Sequence, residues 1–174
     1  MNDLRLRVIA STGLVLGGIL GMAGTFATSA PLRGLAWGID GVGIVIASAL
    51  LTVYYFRQAD DLVAAGFLVL AVGEGLILSG AATDPVVSVP SFGAGASLWA
   101  AALALISFPR VFPALIRSLG LIASALFAAS AVQIFAGRSL SPLAAPLPFY
   151  AYPFFVATIF GWVWVLLKTR TNAT

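Results

Sequence analysis

The chain has no cysteine and no histidine, and only 9% of its 174 residues are charged. Without cysteine there is no disulfide framework, no thiolate nucleophile, and no Fe–S or Cys-ligated zinc site. Without histidine a bis-His haem, a His-held metal, a Ser-His-Asp triad and an imidazole base are excluded within this chain. A phosphate loop, a zinc-helix motif, a nucleophile elbow and a dinucleotide fingerprint are also missing. Its glycine clusters lie in apolar stretches with no preceding strand. An enzyme acting on lipid would need a constellation that one buried acid does not supply. The expectation is a protein that is not an enzyme and has no cofactor or metal.

What the chain has in abundance is apolar sequence: 61% of it is hydrophobic, and the mean hydropathy is +1.07. Soluble domains run at about 45–50% apolar and about 25% charged. The apolar residues come in long runs separated by short polar breaks. Crossing about 30 Å of hydrocarbon at 1.5 Å per residue takes about 20 residues. Six stretches meet or approach that length, at about 8–28, 35–56, 62–82, 94–108, 114–136 and 149–167. The fourth is the shortest. The pattern predicts an all-α fold, a polytopic transmembrane helix bundle forming one domain over 1–174, with the lipid bilayer as its main solvent. The breaks carry turn chemistry at Ser29-Ala30-Pro31, at 57–61 and at Pro109-Arg110 with Pro113. The connections at 83–93 and 137–148 are longer and hold most of the remaining prolines.

The formal net charge is +3, but Lys and Arg are scattered singly, so no nucleic acid partner is expected. Membrane topology explains them better. With six alternating spans, Arg5, Arg7, Arg57, Arg110, Arg117, Lys168 and Arg170 share one side, leaving Arg33 and Arg138 on the other. The positive-inside rule then places both termini in the cytoplasm, an N-in/C-in arrangement. Trp37, Trp99, Tyr150 and Tyr152 fall near the outer boundary, and Tyr54, Tyr55, Trp162 and Trp164 toward the inner one, as in aromatic belts. Arg5 and Arg7 before an apolar run ending Ala27-Thr28-Ser29-Ala30 imitate a secretory leader, but the run is long for one and Pro31 would follow the cut. A retained first helix also keeps the charge count consistent. Two three-helix halves would suit an inverted repeat, yet only the hairpins ending Phe56-Arg57 and Phe108-Pro109-Arg110 look alike.

Small residues recur with helical spacing. Helix 1 carries Gly13, Gly17 and Gly21 with Gly18 and Gly24 alongside, helix 2 Gly34, Gly41 and Ser48, and helix 3 Gly66, Gly73 and Gly80. Such faces let helices approach closely. Packing within the monomer is the plainer reading than dimerisation, with helix 5 (Ser124, Ala128, Ser130, Ala131) an expected acceptor surface.

The chemical anomaly is Glu74, in the middle of an apolar span. A bare carboxylate there costs about 2.5–3.5 kcal/mol on insertion scales, so it should be neutral or paired. Asp40 enters from the outer end of helix 2, at a depth within about one helical turn of Glu74. An acid near a helix N-terminus at an interface is tolerated, which favours a structural role for Asp40. Gln133 and Ser130 reach the outer half from helix 5, and Arg33, Asp84 and Arg138 surround the outer rim. Arg117 can snorkel to the inner surface. Glu74, Asp40 and Gln133 are therefore the candidate ligand or ion-binding residues.

Two expectations of function follow. One is a small proton- or cation-coupled transporter or channel-like protein using Glu74 with Asp40, in an outward-opening polar cavity. The other is a non-catalytic accessory or assembly subunit whose polar residues only hold helices together. A homo-oligomer or a membrane partner protein fits either. Compact loops and no organelle-targeting segment suggest a bacterial inner membrane.

Overall fold

The computed structural model describes residues 3–81 and 88–168. Asp84, Arg170 and the first part of the 83–93 connection, residues 83–87, lie outside the described residues. Within them the fold is all-α: α1 Asp3–Phe26, α2 Ala30–Arg57, α3 Asp61–Ala81, α4 Val89–Ser107, α5 Ala114–Phe135 and α6 Ala151–Lys168. All six helices are long and apolar enough to cross a membrane.

Three helices begin earlier than the apolar runs suggest. α2 starts at Ala30 rather than 35, and α4 at Val89 rather than 94. Pro31 and Pro90 read as breaks in the sequence, but both sit in a first helical turn, where the missing N–H has no intrahelical partner to lose and the fixed φ suits the helix. α1 starts at Asp3, taking in Arg5 and Arg7. Hydropathy marks where apolar side chains stop, and a helix continues through charged residues of good propensity.

The helices alternate in direction and form a ring. Each packs closely against its chain neighbours, and α6 closes on α1. An even number of antiparallel helices lets the last lie antiparallel to the first. Among the described residues no two helices pack backbone to backbone across the ring. Only side chains meet there.

Glycine faces set the tightest seams. A methyl on Gly13 would lie 2.6 Å from the carbonyl oxygen of Gly43, and one on Gly24 would lie 2.5 Å from the Trp37 ring. α1 therefore spends its glycine face on α2, not on α5 as the spacing suggested. The connection between α1 and α2 is too short for any other partner to intervene. α3 likewise packs Gly66 and Gly73 on α4, against Ile106 and Leu98. α5 serves α4 instead: the Ser124 hydroxyl donates to the Ala100 carbonyl oxygen at 2.7 Å.

One half of the ring is filled. Tyr55 stacks on Phe67 with centroids 5.5 Å apart, Phe67 meets Trp162 at 5.1 Å, and Phe112 meets Tyr55 at 5.9 Å. Leu51, Leu70, Leu103 and Ile106 are buried around them. This plug lies toward the end of the bundle that carries Arg5, Arg7, Arg57 and Lys168, here called the terminal face. The opposite end is the distal face. Tyr55 and Trp162 are thus core residues and not belt anchors, as is the buried Trp99. Tyr150 and Trp164 keep the exposure a belt requires, at 57% and 53%.

Candidate functional site

Above the plug the ring is hollow. A cavity of about 690 Å³ runs from exposed Ala30 and Ser141 at the distal face down to Ile44, Trp99 and Ile159. Its wall comes mainly from α1, α2, α3, α4 and α6.

Asp40 and Glu74 both line it. Because α2 begins at Ala30, Asp40 lies about 15 Å down the helix, well beyond the interfacial first turn where the sequence placed it. A helix N-terminus therefore does nothing for this carboxyl, and the structural reason for tolerating it falls away. The α1 glycines make its room instead. A methyl on Gly21 would lie 2.6 Å from Asp40 Oδ2, and one on Gly17 would lie 3.2 Å from Oδ1. Glu74 projects from α3 and is 3% exposed. Gly73 beside it lets α3 approach Gly95 and Trp99 on α4.

The polar atoms around this space are poorly satisfied. Asp40 Oδ1, Glu74 Oε2 and Trp99 Nε1 are buried, and none has a hydrogen-bond partner among the described residues. The Trp99 indole lies within electrostatic reach of the Glu74 carboxyl, but the two do not meet hydrogen-bond geometry. Asp40 in turn feels the charge of Glu74, so α2 and α3 bring the two acids together as their depths implied. Tyr152 from α6 also faces both. At the mouth Arg33 donates from Nη2 to the Ala27 carbonyl oxygen at 2.7 Å and sits 6.0 Å from the Trp37 ring. Trp37 donates from Nε1 to the Gly21 carbonyl oxygen at 3.3 Å.

Comparison with protein-family models, with curated proteins and with solved structures finds no match for this chain. The site must therefore be read from its own chemistry.

Gln133 does not join the site. It is on α5, does not line the cavity, bonds through Nε2 to the Ala129 carbonyl oxygen at 3.3 Å and accepts from Arg138 Nη1 at 3.0 Å. Its depth was legible, but its face was not. Ser130 is occupied on its own helix, donating to the Leu126 carbonyl oxygen at 2.8 Å. Trp99 is the site residue that sequence reasoning missed, having been assigned to a belt. With α4 starting at Val89 it stands in mid-helix, where an indole N–H needs an acceptor.

Two carboxylates facing one low-dielectric space are stabilised together by a cation between them. No group of three or more acidic ligands able to hold a metal ion occurs among the described residues. The two carboxyls give this space a donor set that suits a proton or a cationic group.

Proposed function

We propose that this chain is a small multi-pass carrier of the cell membrane that takes up a proton or another cation at Asp40 and Glu74. The observation that carries the reading is the pair of buried carboxyls, each with an unpartnered oxygen, in a cavity open at one face. Intramembrane acids facing a cavity mark ion and substrate paths. The aromatic plug favours a carrier over an open channel, because nothing crosses Tyr55, Phe67, Phe112 and Trp162 unless helices move. A purely structural role has less support, since acids acting only as glue would find partners, and these oxygens do not. The excess of Lys and Arg at the terminal face supports cytoplasmic termini and a cavity opening outward. The compact connections suit a bacterial inner membrane.

The test is flux in proteoliposomes loaded with a pH-sensitive dye and carrying an imposed membrane potential. Wild-type protein should move protons, or an added monovalent cation, faster than empty vesicles do. Asp40→Asn with Glu74→Gln should bring the rate to the empty-vesicle level with folding retained. Wild-type rates equal to those of empty vesicles for protons, sodium and potassium would reject the carrier reading.

A further inference from the structure

The size and walls of the cavity say more about the ligand than the two acids alone. A proton or an alkali ion needs a path a few ångströms wide. This space is about 690 Å³, inside the range of about 300–1,000 Å³ typical of small-molecule sites. Its lining is largely apolar, with Phe92, Trp99, Tyr152 and Phe155 among its residues. Trp99 meets Phe155 at 5.1 Å and Tyr152 at 6.4 Å between centroids, so three rings from α4 and α6 form one aromatic wall. Asp40 stands on α2, and Glu74 on α3 beside Trp99, so the two acids border that wall in the same space.

Resting on the carrier reading, we propose that the cavity binds a lipophilic organic cation, its charged centre between Asp40 and Glu74 and its apolar body against the Trp99, Tyr152 and Phe155 rings. Each part of such a molecule meets a complementary surface. The charge meets two carboxyls whose unpartnered oxygens need a counter-charge. The same charge is attracted by aromatic faces, which adds to apolar contact. An anion of the same shape would meet two carboxyls in a low-dielectric space. A neutral molecule would leave them uncompensated.

Equilibrium binding of tetraphenylphosphonium to the detergent-solubilised chain tests this, read by calorimetry and by quenching of Trp37 and Trp99 fluorescence. Wild-type protein should bind it, and Asp40→Asn with Glu74→Gln should weaken binding at least tenfold. Tetraphenylborate and neutral triphenylphosphine oxide should bind at least tenfold more weakly than the phosphonium. Val156→Trp narrows the same cavity from α6 with both acids kept and should also weaken binding at least tenfold. A melting temperature of the acid variant equal to that of wild type separates lost binding from lost fold. Gln133→Ala, off the cavity, should bind as wild type does. No phosphonium binding, equal affinity for the neutral or anionic probe, or unchanged affinity in either the acid or the Val156→Trp variant would overturn the proposal. Binding needs no gradient, so the two readings fail separately. A chain that moves protons but binds no phosphonium loses only this inference, and one that binds it but supports no flux loses only the carrier reading.

Discussion

Arg117 shows how one side chain can settle a helix end that no local residue caps. It donates from Nε to the Ser107 carbonyl oxygen at 2.7 Å and from Nη2 to that of Phe108 at 2.9 Å. These are the last carbonyls of α4, which a helix terminus leaves unpaired. Arg117→Ala should therefore lower stability by about 1–3 kcal/mol, the usual range for losing hydrogen bonds to a charged donor, measured as detergent-resistant unfolding. A change no larger than that of Gln133→Ala would mean that the two bonds contribute nothing. The sequence grouped Arg117 with the basic residues of the terminal face but as a snorkelling charge, since a partner ten residues back across a turn leaves no local signature. Glu74 was legible for the opposite reason. A carboxyl inside an apolar run is anomalous whatever surrounds it, whereas the isolation of its Oε2 depends on α2 and α4, which only the fold brings near.

At the scale of elements, the glycines divide by what faces them. Gly13 faces the backbone of Gly43 at 2.6 Å from where a Cβ would stand, while nothing lies within 4 Å of one added at Gly75. Gly13→Ala should force α1 from α2 and cost about 1–3 kcal/mol as overpacking. Gly75→Ala should be neutral or stabilise by up to about 1 kcal/mol through helix propensity. Equal melting of the two variants would contradict the α1–α2 seam. Hydropathy and spacing revealed six helices and their small-residue faces, but spacing cannot say which helix a face meets. Ring closure was equally hidden. A Cβ at Gly18 would lie 3.6 Å from Ile159 on α6, so cysteines at 18 and 159 in this cysteine-free chain should cross-link under mild oxidation. Cysteines at 18 and 128, on α1 and α5, should not. The reverse pattern would break the ring order.

For the whole molecule, one end is plugged by aromatic rings and the other is hollow and lined by acids, so orientation in the membrane decides what the cavity samples. Single cysteines at Ser141, exposed at the distal face, and at Gln58, exposed at the terminal face, should label oppositely in intact cells. An impermeant maleimide should reach Ser141→Cys and spare Gln58→Cys, and the opposite result would turn the cavity toward the cytoplasm. The central claim is that Asp40 and Glu74 exchange protons or cations with water through this cavity. Infrared difference spectra of the reconstituted protein, recorded between mildly acidic and mildly alkaline buffer, follow those carboxyls directly. The account predicts a carboxyl C=O signal that changes with buffer, shrinks in Asp40→Asn and in Glu74→Gln, and vanishes when both are replaced. Spectra with no carboxyl change, or a change that survives the double replacement, would contradict it.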